Sequence, residues 1–284
     1  MIRKIVTHPG GAHKDDFLAT CLLIARYSAY VERRVPLPDD LADPGIAVVD
    51  VGGSHDGELH NFDHHHFPRE HAPTCALSLV LQHFDLYEDA KMFCDWLEPA
   101  EWFDSRGPNK TAEWLGVSRE AVARLNSPID VTFLRRFAKL SKLSPGETLY
   151  EAMRFIGEDL FEFVQSARRR LDQTAKAAQT WEIVAADQSF SVLFLPRGDS
   201  FPDEPSAALA RYVRCFGLDV AALVYPDRRG DGYGISRFDD HPRLDFVRVG
   251  QEADVHFAHT SGFMCKTTAT EPDRLKALLR EAWN

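Results

Sequence analysis

Histidine and aspartate side chains recur in four short segments of the N-terminal part of the chain, "THPGGAHKDD", "VVD", "HNFDHHH" and "EWFDSRG". Their ionisable members are His8, His13, Asp15, Asp16, Asp50, His60, Asp63, His64, His65, His66 and Asp104. Imidazole nitrogen and carboxylate oxygen without thiolate suit Mn²⁺, Mg²⁺ or Fe²⁺ better than a structural Zn²⁺. So many ligands favour two ions that share a carboxylate, a pair that can activate water and hold a phosphoryl oxygen. The chemistry predicted is hydrolysis of a phosphoester.

Each segment taken alone has an ordinary structural explanation. Asp-His-His is usually part of a polar loop, and His8 before Pro9 could merely end a strand. Asp50 and Asp104 are of a type common in turns and at helix N-caps. A shared site is favoured only because each segment falls where a sheet would bring it to the same edge.

The predicted secondary structure explains how the first segments could meet. The run from Ile2 to Thr7 predicts a short strand, which a Gly-rich turn joins to the helical pattern of "DDFLATCLLIARYSAY". The continuous apolar run "IAVVDVGG" predicts a strand buried on both faces of a parallel sheet. Ligands of open α/β sheets bind outside the carboxyl ends of the strands. The residues expected to converge there are His8, His13, Asp15 and Asp50.

The rest of the chain predicts helices and a second domain. Mostly helical patterns cover 76–103 and 111–140, and a long amphipathic stretch extends over 147–178. Beyond it, the strand-like runs "WEIVAA", "FSVLFLP", "DVAALVYP", "GYGISRF" and "DFVRV" occur with two helical segments. The expected fold class is α/β, with an N-terminal, mainly parallel sheet flanked by helices and a smaller C-terminal α/β or α+β domain. The predicted divisions are a catalytic domain over 1–146, a linking helix over 147–180 and a C-terminal domain over 181–284.

Composition limits the classes of protein to which such a site could belong. The 284 residues are 44% hydrophobic and 27% charged, which is typical of a globular chain with one large domain or two ordinary ones. A formal net charge of −10 argues against nucleic-acid binding by a general basic surface, so phosphate binding would need bound cations. The five cysteines form no C-x-x-C pair and favour a reduced, cytoplasmic protein. The apolar run before Gly10 is too short for a signal sequence, and no stretch approaches the length of a membrane span.

Four motifs follow one another in the order H-x4-H-x-D, V-V-D-V-G-G, F-D-H-H and a downstream F-D. This order resembles the DHH phosphoesterase superfamily and, within it, the melanocyte-proliferating-gene (Myg) family, also described as "metal-dependent protein hydrolases". The segments "THPGGAHKDDFLATCLL" and "VVDVGGSHDGELHNFDHH" are similar to that family's first two signature blocks, and "HTSGFMCKTT" is similar to its third. The resemblance spans most of the chain. It implies a DHH-type catalytic domain, with the active site in the cleft between it and the C-terminal domain.

The resemblance also implies a set of metal ligands, carried over residue by residue. One ion would be held by His8 and His13, the other by Asp15, His64 and Asp104, with Asp50 as the bridge. Asp16 stands where the family tends to have Glu. The implied cofactors are two divalent ions, expected to be Mn²⁺ with Mg²⁺ as the alternative.

Further residues are implied to contact the substrate or to orient those that do. His65 would face the substrate phosphate and Asp63 would orient a neighbouring imidazole, so these two are the predicted catalytic residues. Neither His60 nor His66 receives a role. The residues expected to bind substrate in the C-terminal domain are Arg237, His259, Thr260, Ser261, Gly262 and Lys266.

The implied function is phosphodiester hydrolysis by a water molecule that two metal ions activate. The resemblance implies a 3′–5′ exonuclease on RNA or short single-stranded oligonucleotides. A phosphatase or phosphodiesterase for small nucleotides or pyrophosphate-like substrates is the first alternative, and a non-catalytic metal- or nucleotide-binding module is the second. The sequence has no H-E-x-x-H and no recognisable Ser or Cys nucleophile, so the residues do not support protein hydrolysis. The expected partner is an RNA, short oligonucleotide or nucleotide substrate, and no membrane association is expected. The oligomeric state stays open, with a homodimer among the alternatives.

Overall fold

The computed structural model describes residues 1–124, 127–186, 188–198, 202 and 204–284. The chain divides into two compact units, Met1–Ser166 and Ala167–Asn284. Each unit has its own six-stranded sheet and its own hydrophobic core. The predicted α/β class is therefore confirmed, whereas the domain boundaries and the cleft expected from the sequence stay predictions.

The first unit begins with a strand, a helix and a second strand and then becomes helical. Its elements in chain order are β1 (Lys4–Thr7), α1 (Lys14–Tyr27), β2 (Tyr30–Arg33), α2 (Pro38–Ala42), β3 (Ile46–Val49), β4 (His55–Asp56), β5 (Asn61–Phe62), α3 (Ala76–His83), α4 (Tyr87–Phe93), α5 (Leu97–Trp114), α6 (Arg119–Arg124), α7 (Pro128–Ala138) and β6 (Lys142–Leu143). The long helix α8 (Thr148–Ala177) follows, and the unit boundary lies within it.

The first sheet has the strand order β4-β5-β3-β1-β2-β6. Strands β1, β2, β3 and β5 are paired in parallel, and the short strands β4 and β6 add antiparallel pairs at the two edges. Successive residues of β1 point to opposite faces, so Ile5 enters the main core beside α1 and Val6 packs with Ile46 and Val48 on the other face. Burial on both faces explains why β1 and β3 are continuous apolar runs.

The second unit contains a mostly antiparallel sheet. Its elements are β7 (Gln179–Ala185), β8 (Gln188–Phe194), α9 (Pro205–Phe216), β9 (Ala222–Pro226), β10 (Tyr233–Arg237), a 3₁₀ helix (Phe246–Val249), β11 (Val255–Ala258), β12 (Met264–Thr267) and α10 (Pro272–Ala282). The strand order is β11-β12-β10-β9-β8-β7, in which β8 and β9 form the parallel pair. This arrangement is the α+β form of the expected C-terminal fold.

The strand predicted for "DFVRV" is wrong, because this segment forms the 3₁₀ helix. The Asp245 side chain accepts a hydrogen bond of 3.0 Å from the Val247 N–H and so caps the helical turn. Phe246 and Val249, three residues apart, are buried in the core of the second unit. The spacing of three suits a 3₁₀ turn, in which residues i and i+3 lie on the same side.

No helix in the described ranges is both long enough and apolar enough to cross a membrane.

Candidate metal centre

Three parallel strands of the first sheet end at the same level. Thr7 of β1 lies beside Val49 of β3, and Val49 in turn lies beside Phe62 of β5. The next residues along the chain, one after each strand, are His8, Asp50 and Asp63. Parallel pairing therefore puts these side chains at one edge of the sheet, which is the edge where such sheets bind ligands.

The start of helix α1 adds two further residues to this edge. His13 is the N-cap, and its backbone N–H donates a hydrogen bond of 2.7 Å to Asp16 Oδ1. This bond satisfies an N–H group that the first helical turn would otherwise leave without a partner. Because the helix begins at Lys14, Asp15 lies in its first turn, where the side chain is buried.

Asp50 adopts a backbone conformation that few residues accept. Its φ of 57° lies in the left-handed region, which costs an L-residue about 1–2 kcal/mol but is tolerated best by Gly, Asn and Asp. The Asp50 N–H nevertheless continues the sheet by donating to the Phe62 carbonyl at 3.0 Å. Four residues beyond the end of β3, the Gly53 N–H donates to Asp63 Oδ2 at 2.6 Å. The loops after β3 and β5 are thereby tied together at the centre.

Asp104 reaches the centre from helix α5. One turn earlier on this helix, the buried Glu101 carboxylate accepts hydrogen bonds from Ser78 Oγ at 2.6 Å and from Tyr87 Oη at 2.8 Å. Just after Asp104 the helix kinks at Gly107, which has a φ of 78°. The anchored turn fixes which face of α5 points to the sheet edge, and hence the position of Asp104.

Six side chains converge into two groups, and the ligand atoms of each group lie within 4.8 Å of one another. The first group is His8, His13 and Asp50, and the second is Asp15, Asp50, His64 and Asp104. Asp50 belongs to both, and it also forms a third grouping with His64 and His65. The structure thus brings together all six residues predicted as metal ligands, although their roles stay predictions.

Several of these ligand atoms are buried and make no hydrogen bond to any described residue. Asp15 is only 2% exposed, and both of its carboxylate oxygens are buried without a hydrogen bond. The same holds for Asp50 Oδ1, His64 Nε2 and Asp104 Oδ2. His64 Nε2 lies 3.2 Å from Asp50 Oδ1 and 2.8 Å from Asp104 Oδ2, close to both but without hydrogen-bond geometry. Since buried polar atoms normally have partners, a set of converging lone pairs fits a bound cation.

The electrostatics reflect the crowding of carboxylates. Burial raises the pKa of Asp15, and the negative charges of Asp50 and Asp104 raise this pKa further. Burial also raises the pKa of Asp50, although His64 opposes the shift. Burial disfavours the charged form of His64, yet the carboxylates of Asp104 and Asp50 raise its pKa to about 10. Burial and mutual repulsion therefore disfavour the charged forms of Asp15 and Asp50, and a divalent cation would offset that cost.

The predicted catalytic pair lies beside the cluster, with His65 Nδ1 3.6 Å from Asp50 Oδ1. Asp63 is buried, and its Oδ1 accepts hydrogen bonds from the His65 N–H at 3.0 Å and from His65 Nδ1 at 2.7 Å. The side chain of His65 is 61% exposed, so its Nε2 edge is accessible from solvent. His66 is also exposed and lies outside the three groups of possible ligands found in the described residues.

The predicted substrate-binding loop lies in the second unit. His259 to Gly262 form the turn between β11 and β12, in which His259 Nδ1 accepts a hydrogen bond of 3.1 Å from the Ser261 N–H. Gly262 has a φ of 69°, and a Cβ at this position would lie 2.1 Å from Asp245 Oδ1. A side chain is therefore excluded at Gly262 on two grounds.

The two predicted cationic residues of the second unit are paired with carboxylates. Lys266 Nζ on β12 lies 2.8 Å from Asp227 Oδ1, and Arg237 Nη2 on β10 lies 3.0 Å from Asp240 Oδ1. The phosphate contacts expected of these residues stay predictions, as do those of the His259–Gly262 turn.

Two residues beside the centre received no role from the sequence. Arg33 is buried at the end of β2, and the fully buried Asp16 carboxylate lies between Arg33 and His8. The only signal in the sequence is the pair Arg33-Arg34 at the end of strand β2. That signal does not tell which arginine points inward, because the answer depends on the strand register.

Residues 4–86 match the family model MYG1_exonuc, described as "Uncharacterised protein family (UPF0160)". The match confirms the family resemblance drawn from the sequence, over a segment that includes His8 to His65. Asp104 and the "HTSGFMCKTT" segment lie outside the matched residues. A search of the curated proteins gave no match.

Three of the solved structures that match the chain have very low sequence identity to it. One is titled "pGpG-specific phosphodiesterase - PggH from Vibrio cholrae", with 14% identity, a TM-score of 0.33, and 99% of this chain and 98% of that chain covered. The other two are RecJ from Thermus thermophilus, in complex with Mn²⁺ (14% identity, TM-score 0.28) and with Mg²⁺ (13% identity, TM-score 0.29). They cover 99% of this chain and 51% and 49% of the RecJ chains. TM-scores this low do not establish a shared arrangement of the chain, so the likeness carries no argument about function.

Proposed function

We propose, on the premise that residues 4–86 belong to the MYG1_exonuc family, that this chain is a metal-dependent phosphoesterase. The observation that carries the proposal is the convergence of six His and Asp side chains into two groups that share Asp50. A single carboxylate common to two ligand groups is the arrangement that a pair of ions requires. All donors are nitrogen or oxygen, which favours Mn²⁺ or Mg²⁺.

The buried oxygens of Asp15 support the fit between these residues and a cation. Neither oxygen receives a hydrogen bond from the described residues, and the carboxylate is close to two others. We assign His8 and His13 to one ion, Asp15, His64 and Asp104 to the other, and Asp50 to both. When bound, two such ions lower the pKa of a bound water and stabilise negative charge on phosphoryl oxygens.

The protein's own contribution to the reaction centres on His65. The hydrogen bond from His65 Nδ1 to Asp63 fixes the ring beside Asp50, and the exposed side chain leaves Nε2 outside this bond. In the charged ring, Nε2 carries a proton that it can donate to a phosphoryl oxygen or to the leaving oxygen of the substrate. Asp63 orients the ring because its buried carboxylate accepts the hydrogen bond from Nδ1.

For the substrate we propose RNA or a short single strand, digested from its 3′ end in the manner of an exonuclease. The family model's name supports this choice, and the net charge of −10 is compatible with it, because bound cations rather than a basic surface would hold a few phosphates. Arg237, Lys266 and the His259–Gly262 turn are the proposed contacts from the second unit. The ions proposed for the cell are Mn²⁺, with Mg²⁺ as the alternative.

Hydrolysis of labelled oligoribonucleotides tests this function. The purified chain is treated with EDTA, dialysed into Mn²⁺ and given a short 5′-labelled RNA, and the products are resolved by length. A ladder that shortens from the 3′ end supports the exonuclease. Turnover restricted to dinucleotides or nucleoside phosphates would support a small-nucleotide phosphodiesterase instead, and Mn²⁺ binding without turnover of any of these would indicate a non-catalytic module.

Two neighbouring histidines supply the matched variants for that experiment. His64→Ala removes a proposed ligand, whereas His66→Ala removes an exposed imidazole outside the ligand groups found in the described residues. We expect His66→Ala to retain wild-type turnover and His64→Ala to lose it. A folded His64→Ala protein with wild-type turnover in Mn²⁺ would refute the ligand assignment.

A further inference from the structure

Arg33 is a buried cation at the end of strand β2. Its side chain is 2% exposed, and the guanidinium lies 4.5 Å from the centroid of the Phe137 ring. Burial lowers the pKa of Arg33, but arginine stays charged in proteins at any ordinary pH. A buried charge is costly, so it requires compensating contacts.

Those contacts go to the loop that carries two proposed ligands. Arg33 Nη1 donates to the Gly10 carbonyl at 3.2 Å and to the Phe137 carbonyl at 3.1 Å, and Nη2 donates to the Gly11 carbonyl at 2.9 Å. Gly10 and Gly11 form the middle of the segment between His8 and His13. Glycines have the widest backbone freedom, so the loop depends on outside contacts for a single conformation.

Asp16 completes the arrangement from the other side of the loop. Its Oδ1 accepts the His13 N–H at 2.7 Å, while its Oδ2 lies 3.4 Å from His8 Nε2 and 3.6 Å from Arg33 Nη2. One fully buried carboxylate thus touches the backbone of one proposed ligand, the ring of the other, and the guanidinium that holds the glycines between them.

We propose that Arg33, together with Asp16, is a positioning residue that holds the His8–His13 loop so that both imidazoles face one cation with Asp50. The inference rests on the proposed function. Arg33 is directed at the loop of the first ligand group, and Asp15, His64 and Asp104 of the second group are held by α1, the β5 loop and α5. Loss of the guanidinium should therefore affect the two ions unequally.

Arg33→Lys is the variant that tests this role, because lysine keeps the charge but cannot bridge three carbonyls with a planar fork. Arg34→Lys is the matched control. Arg34 is the adjacent residue, and its guanidinium pairs with Asp40 and Glu32 rather than with the loop. Both variants and the wild type are titrated with Mn²⁺ by calorimetry, with the two binding steps fitted separately.

We expect Arg33→Lys to weaken one of the two binding steps by about 10- to 100-fold, the range typical of residues that orient metal ligands, and to leave the other within about twofold. Arg34→Lys should bind both ions as the wild type does. A folded Arg33→Lys protein with both affinities unchanged would overturn the inference while leaving the proposed function intact. A wild type that binds no Mn²⁺ would overturn both.

A second readout needs no metal. In EDTA, hydrogen exchange of the His13 amide, which donates to Asp16 Oδ1, should be faster in Arg33→Lys than in the wild type or Arg34→Lys, because the loop before it loses the fork of hydrogen bonds to its carbonyls. Equal protection of the His13 amide in all three proteins would overturn the inference. If Arg33→Lys does not fold, Asp16→Asn replaces it. Its amide oxygen can still accept the His13 N–H but carries no charge toward Arg33, and the same unequal loss of Mn²⁺ affinity is expected.

Discussion

Replacing Asp15 with Asn should stabilise the protein when divalent ions are chelated and leave it less stable than wild type when they are supplied. The Asp15 carboxylate is buried beside Asp50 and Asp104, and no described residue donates a hydrogen bond to it. Asparagine has nearly the same shape without the charge. Removing the charge relieves repulsion and desolvation in the chelated protein, but it also removes a proposed ligand.

The magnitude follows from two opposing costs. A buried, unpaired charge costs several kcal/mol after relaxation, and a buried amide without partners costs about 1–3 kcal/mol. The difference predicts that Asp15→Asn raises the free energy of unfolding by about 1–3 kcal/mol in EDTA. At about 1,000 times its dissociation constant, one ion adds about 4.1 kcal/mol to the wild type. Losing that ion outweighs the gain, so the order of stabilities reverses.

Urea unfolding followed by tryptophan fluorescence measures both halves of this prediction, in EDTA and in saturating Mn²⁺. Asp39→Asn is the control, since Asp39 is exposed and its replacement should change the free energy of unfolding by less than about 0.5 kcal/mol in either buffer. If Asp15→Asn is no more stable than wild type in EDTA, the Asp15 carboxylate does not destabilise the chelated protein and the reasoning is wrong. If the order does not reverse in Mn²⁺, Asp15 is not a ligand.

Three further predictions concern other parts of the molecule. Arginine and lysine partners outweigh burial and lower the pKa of Asp40, so its charged form stabilises the fold above about pH 4, the ordinary pKa, and this contribution is lost as the pH falls. Asp40→Asn should therefore lower the free energy of unfolding by about 1.5–3 kcal/mol near neutral pH, with the difference shrinking below about pH 4 in urea titrations. Gly157→Ala should lower the free energy of unfolding by about 1–3 kcal/mol in the same assay, because its Cβ would lie 2.1 Å from a carbonyl oxygen of α1. Gly198→Ala is the control and should leave the free energy of unfolding unchanged, because a Cβ there would meet no atom within 4 Å. Asp63→Asn should reduce turnover about 10- to 100-fold through the orientation of His65 and leave calorimetric Mn²⁺ affinity within about twofold; a matching loss of affinity would instead make Asp63 part of the metal site.

Four residues of the candidate metal cluster, His8, His13, Asp15 and Asp50, were predictable from strand ends and from the helix start after β1, whereas His64 and Asp104 were implied as ligands only by the family resemblance. The run "IAVV" closed by glycines indicates where β3 stops, and parallel pairing then brings Asp50 beside His8. The different roles of residues adjacent in sequence were harder to predict. Asp15 and Asp16 are adjacent and both buried, yet one joins the ligand group and the other holds His13 and faces Arg33. That difference arises from the direction of each side chain in the first helical turn, which depends on where α1 begins.

Contacts distant in sequence account for what could not be predicted. The pair Arg33-Arg34 is symmetrical in sequence, and only the pairing of β2 with β1 turns Arg33 to the loop and Arg34 to Asp40. Likewise, the left-handed backbone of Asp50 depends on its hydrogen bond to Phe62 of β5, a partner that a local pattern does not specify. In the second unit, the segment predicted as a strand forms a 3₁₀ helix that the Asp245 side chain caps.

The rate of phosphodiester hydrolysis, measured as Mn²⁺ is added back to the chelated wild-type chain, decides whether the protein is a two-ion phosphoesterase. We expect no turnover of a short oligoribonucleotide in EDTA and a rate that reaches its maximum only after two ions are bound per chain. Turnover that persists undiminished in EDTA, or none on any phosphodiester with both ions bound, would contradict this expectation.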